Sequence, residues 1–148
     1  MIAVEVQITG TEQLLAAFVE IERTVDHLEP IFETIGEETL SDIQRRIDNH
    51  PGPPLAASTV KRKGSTRILR DKDDLYASFQ RGAAANVFRV KATEAEFGTS
   101  DFKAHFHQEG TSRMPKRTVI EITGEQEARY AQIAGEKLSQ KMKELGFS

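Results

Sequence analysis

The strongest constraint on this chain is a stretch that cannot enter a core. His50–Ala57 (HPGPPLAA) holds three of the five prolines and cannot form regular structure. Ser58–Lys72 follows, with Lys61, Arg62, Lys63, Arg67, Arg70 and Lys72 against Asp71 alone, a local charge of +5, and with almost no apolar content. We read residues 50–72 as a long basic arm or loop with one helical turn at Ser58–Lys63. Loops of this length inside small domains are usually functional or disordered. Everything that builds a core must therefore come from the segments on either side.

Upstream, Ile2–Thr9 alternates apolar and polar residues with a period of two and reads as a half-buried strand ended by Gly10. Thr9 with Glu12 has capping-box spacing, and Thr11 is a rival cap. Leu14, Phe18, Ile21, Val25 and Leu28 then recur at steps of four and three, which stacks them on one face of a helix. Pro30 fits the first turn of a second helix, with Phe32, Ile35, Thr39, Ile43 and Ile47 as its stripe and an end near Asn49. Both stripes read first as core and second as surface that buries against another subunit.

Downstream, Asp73–Phe79 reads as a short helix capped by Asp73 or Asp74, with Leu75, Tyr76 and Phe79 turned inward. Asn86–Lys91 and Glu94–Thr99 read as a hairpin turning near Ala92–Thr93. Ala104–Gly110 is ambiguous between helix and strand, and Thr118–Thr123 (TVIEIT) has the strand period. Thr123 caps a last helix, with Gln126 three residues on and a face of Tyr130, Ile133, Ala134, Leu138, Met142 and Leu145. The order predicts an α+β fold in one domain, residues 1–148: an antiparallel or mixed sheet packed against two N-terminal helices and a C-terminal helix.

The 148 residues include no cysteine, which excludes a disulfide framework, thiolate zinc sites and cysteine nucleophiles. No membrane span or secretory signal is visible, so a soluble intracellular protein is expected. The net charge of −3 hides an asymmetry. Residues 1–50 carry −8, residues 51–103 carry +4 and residues 104–148 carry +1, so the two signs are able to complement each other within or between copies.

Chemistry is sparse. No phosphate-binding loop, dinucleotide fingerprint, nucleophile elbow or H-E-x-x-H zinc motif occurs. His105, His107 and Glu109 would share one face of a strand, but a helix splays the two histidines about 200° apart. A metal-dependent hydrolase on His105, His107 and Asp71 would need further ligands, from His27, His50 or a distant acid, that nothing specifies. No catalytic residue, cofactor or metal ligand is assigned. The Lys61–Lys72 arm would suit a DNA-binding accessory protein through salt-sensitive phosphate contacts, although no aromatic is interleaved there to stack on bases.

Several segments resemble a known family. Pro54-Leu55, Ser58-Thr59, the basic stretch, Ile68-Leu69-Arg70-Asp71 and Leu75-Tyr76-Ala77-Ser78-Phe79 resemble the P-L-S-x-x-T … K … I-L-x-x-T-G-x-L-x-x-S run of phage virion morphogenesis proteins, the tail completion proteins of Mu-like and related tailed phages. Phe97-Gly98-Thr99 resembles the family's I-G-T. Ala104–Gly110 (AHFHQEG) resembles Y-A-x-x-H-Q-x-G, and Met114–Ile120 (MPKRTVI) resembles I-P-x-R-x-F-L. The likeness covers residues 50–123 and, more loosely, the two N-terminal helices. It departs where Gly52-Pro53 replace an aromatic, Asp73-Asp74 replace Thr-Gly, and Lys103 replaces Tyr.

The resemblance implies a non-enzymatic assembly protein of a phage or prophage, found in the virion at the head–tail junction and in the host cytoplasm during assembly. It would act in tail completion or head–tail joining, as a neck subunit in a homo-oligomeric ring whose number, six, is taken from the family's setting. Its partners would be other copies, the tail tube or terminator, and head–tail connector proteins. DNA would be met only as the contents of the channel, and no membrane is involved. Within that reading the arm, through Leu55, Lys61, Arg62, Lys63, Arg67 and Arg70, would meet an acidic helical face including Glu33 and Glu37. His107, Gln108 and Gly110 would hold a turn, and Pro115 and Arg117 would lead into the last strand. Removing Ser58–Arg70 is expected to abolish the ring and leave a folded monomer.

Overall fold

A computed structural model describes residues 11–147; the expected strand Ile2–Thr9 and the Thr9 cap lie outside the described residues. In chain order the elements are α1 (Thr11–Asp26), α2 (Glu29–Asp48), α3 (Ala57–Lys63), α4 (Asp74–Ala77), β1 (Asn86–Val90), β2 (Ala95–Thr99), α5 (Phe102–Glu109) and α6 (Gly124–Glu144). The fold is α+β, as expected, with β1 and β2 paired antiparallel from Asn86↔Thr99 to Val90↔Ala95. The Lys91 N–H donates to the Glu94 carbonyl (2.8 Å) and closes the hairpin at the expected turn.

α2 is the spine. Pro30 sits in its first turn, where a missing N–H costs nothing, and Asn49 ends it. Leu40, Ile43 and Ile47 lie in a core completed by Leu69, Leu75, Phe79, Ala104 and Val119, with Phe88 and Phe97 packed against it. The hairpin sits on α2 at Gly36. A β-carbon there would lie 2.6 and 2.7 Å from Phe88 ring atoms and against the Phe97 ring as well, so only glycine lets the two aromatics pack this close. α6 crosses the other flank of α2 through Asp42, which is buried and accepts hydrogen bonds from the Tyr130 hydroxyl (2.5 Å), Arg45 (2.8 Å) and Arg129. The Thr123–Gln126 capping box starts α6.

Four expectations are corrected. The α1 stripe is not core among its described side chains: Phe18 and Val25 are exposed, Ile21 and Leu28 are half-buried, and α1 touches the rest of the described residues sparsely. The arm holds its expected helical turn, as α3, but it is not a loose loop: it buries Leu69 and ties Arg67 and Arg70 to Asp48 on α2 at 3.0 and 2.5 Å. Deleting Ser58–Arg70 would therefore remove core and cannot leave an intact monomer. Asp73 precedes α4 at φ +62° and does not cap it, because its carboxylate is drawn to Arg70 (2.6 Å). Thr118–Thr123 is not a strand: the chain bends at Val119, and no neighbouring strand lies beside it among the described residues. The ambiguous segment Ala104–Gly110 forms the end of α5, with Gly110 as the residue that stops it, and the helix start is capped by Asp101 accepting from the Lys103 N–H (3.0 Å).

Candidate functional site

What holds Thr118–Thr123 in place is a side-chain clamp. Gln108, near the end of α5, uses its carboxamide as a strand would use a peptide group. Its Oε1 accepts from the N–H groups of Val119 (2.8 Å) and Ile120 (2.9 Å), and its Nε2 donates to the Ile120 carbonyl (2.8 Å). From the opposite flank, Arg46 Nε donates to the Thr118 carbonyl (2.9 Å) while its guanidinium pairs with Glu121 (2.7 Å). Val119 is thereby carried to full burial in the core.

The loop between α5 and this segment is shaped by Gly110. Its φ of +73° favours glycine, and a β-carbon would meet the Lys116 backbone nitrogen at 2.9 Å. Thr111 and Met114 bond to each other across the turn. Arg117 then turns back inside. Its N–H donates to the His107 carbonyl (2.7 Å), and its buried guanidinium donates to the carbonyls of Pro53 and Pro54. A buried cation with carbonyl acceptors fixes the proline-rich segment to the rest, and it would be costly to leave unpaired.

Two histidines sit beside that cation. His50 Nδ1 accepts from the Gly52 N–H (3.0 Å) while Nε2 lies 3.0 Å from the Thr118 carbonyl, an arrangement that requires the neutral tautomer with the proton on Nε2. Burial, then the positive charges of Arg46 and Arg117, hold its pKa below the ordinary value, against the opposing Thr118 bond. His107 is lowered too, by burial first and then by Arg117, and its buried Nδ1 has no hydrogen-bond partner. Neutral imidazoles are what a site with a buried guanidinium tolerates.

On the outer side of the clamp lies a groove of about 630 Å³. Leu55, Phe106, Met114 and Pro115 supply apolar wall, and Arg62, Lys63, Lys72, Lys103 and Arg113 supply cationic rim, with Asp71, Asp73 and Asp74 along one edge. The arm residues are largely engaged within the chain. Arg62 pairs with Asp71 (3.3 Å), Lys63 donates to the Arg67 carbonyl (2.8 Å), and Arg70 stacks on Tyr76 while pairing with Asp48 and Asp73. Burial pushes the Lys63 amine down, whereas the Asp73 carboxylate holds Arg70 up. Lys61, Lys72 and Arg113 have no ion-pair partner among the described residues.

The structure thus gathers His107, Gln108, Gly110, Pro115 and Arg117 with Leu55 at one place. It does not bring Glu33 and Glu37 there, since both pair with Arg81 at 2.7 and 3.0 Å on the hairpin side. Sequence reasoning missed Asp42, Arg46 and the glycine seat at Gly36. Only Asp42 left a hint, as an acid next to Ile43 on a helix with a clear apolar stripe. Among the described residues no three His, Asp or Glu side chains converge as a metal site, and His105 and His107 diverge on α5. No helix among them is long and apolar enough to cross a membrane.

A family model described as the phage virion morphogenesis family matches residues 9–139. No curated protein and no solved structure matches the chain.

Proposed function

The chain belongs to the phage virion morphogenesis family, and from that premise we propose that it is a structural subunit of the head–tail junction, acting in tail completion or head–tail joining as a homo-oligomeric ring, six copies in the family's setting. Family membership gives a phage assembly role; the finer reading rests on the surface. Leu15, Phe18 and Val19 on α1, Phe102 and Phe106 on α5, and Ile122 beyond the clamp stand exposed on a chain of only 148 residues. Large apolar side chains in such groups mark protein–protein contact surfaces.

The clamp fits the same reading. Its buried cation, the His50 ring and the Gln108 carboxamide are spent on holding backbone in shape, which is what a subunit gripped between head and tail requires. No nucleophile–base pair is built there. Tail tube or terminator proteins and connector proteins would be its partners in the virion, and DNA would be met as the contents of the channel.

The test is assembly itself. A phage lysate lacking this protein should accumulate filled heads and separate tails, and adding the purified chain should join them, scored by electron microscopy and plaque titre. Joined, infectious particles formed without it would overturn the proposal. The alternative of a DNA-binding accessory protein draws on Lys61, Lys72 and Arg113. It would be favoured by duplex binding that falls steeply with salt in the absence of any self-association.

A further inference from the structure

The groove beside the clamp and the outer face of α1 are complementary and lie at opposite ends of the molecule. On α1, Leu15, Phe18, Val19, Glu22 and Asp26 fall at i, i+3, i+4, i+7 and i+11, which is one face of a helix. All five are exposed, the three apolar residues by 63%, 53% and 52%. That face offers apolar bulk at its N-terminal end and two carboxylates at its C-terminal end. Glu22 and Asp26 have no ion-pair partner among the described residues. The groove offers the converse: apolar walls from Leu55, Phe106 and Met114, and the unpaired cations Lys72 and Arg113 at its rim.

A single copy does not bring these surfaces together. α6 runs antiparallel to α2: Tyr130 meets Asp42, Lys137 and Lys141 lie beside Ile31, and Phe147 reaches Phe18 on α1. Tyr130 to Glu144 alone spans about 20 Å of helix. The arm lies at the Asp48 end of α2, beyond Asp42, while α1 lies past the other end. No α1 residue lines the groove.

We propose that α1 of one copy docks in the groove of the next, with Leu15, Phe18 and Val19 entering between Leu55, Phe106 and Met114, and with Glu22 and Asp26 meeting Lys72 and Arg113. The contact is a helix seated in a groove. It joins two different surfaces, so it is heterologous, and repetition closes a ring when the rotation allows. The inference rests on the ring reading above and names its interface.

Charge reversal tests it, because all four charged residues are exposed. Glu22→Lys with Asp26→Lys, or Lys72→Glu with Arg113→Glu, should each weaken self-association by about tenfold or more in sedimentation velocity, with circular dichroism unchanged. The two sets combined should restore assembly, which mere loss of surface charge would not do. In parallel, Val19→Cys chains mixed with Met114→Cys chains should oxidise to the mixed disulfide dimer in preference to either like dimer, the native chain having no cysteine. A ring that forms equally well with either reversal, or like dimers alone, overturns this interface and leaves the ring standing. A chain that neither self-associates nor gives the mixed disulfide overturns both. Duplex DNA binding lost in Lys72→Glu/Arg113→Glu, with assembly unchanged, assigns the groove to nucleic acid and overturns the docking.

Discussion

The carboxamide of Gln108 stands where a neighbouring strand would stand, and it satisfies three backbone groups that flank the fully buried Val119. Gln108→Ala leaves two N–H groups and a carbonyl without those partners and should cost about 1–3 kcal/mol, read as a lower urea midpoint with an unchanged slope. A change under about 0.5 kcal/mol would show that water replaces the amide at no cost. The histidines set a pH dependence whose sign follows from the direction of their shifts. Both pKa values lie below the ordinary 6.5 in the folded chain, so the unfolded chain binds the extra proton first. The stability they contribute is whole above pH 6.5 and is lost as pH falls through the window beneath it. The melting temperature should therefore drop on acidification from about pH 7 to about pH 5.5, and less so in His50→Gln/His107→Gln. A rise in stability over that window would contradict the neutral assignment.

Among the elements, α2 carries the fold because it meets α6, the hairpin and the docked arm at once. Gly36→Ala pushes a methyl group into the Phe88 and Phe97 rings and should destabilise by about 1–3 kcal/mol, with near-ultraviolet circular dichroism reporting the displaced aromatics. A neutral outcome would mean that the hairpin lifts freely from α2. The stripe of α2, Pro30 at a helix start and the Thr123–Gln126 box were all legible in the chain, because each is a local pattern with a local physical cause, whereas the α6 face is buried only at Tyr130 and leaves Met142 exposed. Thr118–Thr123 was not legible. Its period suggested one buried face, but only Val119 is buried while Ile120 and Ile122 are exposed, because one side chain, Gln108, holds the segment where a paired strand would have covered a whole face. Asp42 left only the hint of an acid beside the apolar stripe of α2, since its burial becomes evident once Arg45, Arg129 and Tyr130 surround it. The arm looked free because its bases have their partners elsewhere in the chain, in Asp48 on α2 above all.

At the scale of the whole molecule, an acidic α1 face at one end and a cationic groove at the other make a subunit suited to joining its own kind head to tail. The motif residues His107, Gln108, Gly110 and Arg117 build the wall behind that groove, and for this reason a structural clamp is also the candidate functional site. Pairing of opposite charges between copies makes assembly sensitive to salt, as screening shortens the reach of exposed charges to about 8–10 Å at physiological ionic strength. The measurement that bears most directly on the central claim is light scattering after size-exclusion chromatography in low and high salt, with negative-stain imaging of any large species. The account predicts a closed ring of about six copies at low salt that loosens as salt is raised. A monomer at every salt concentration would contradict it.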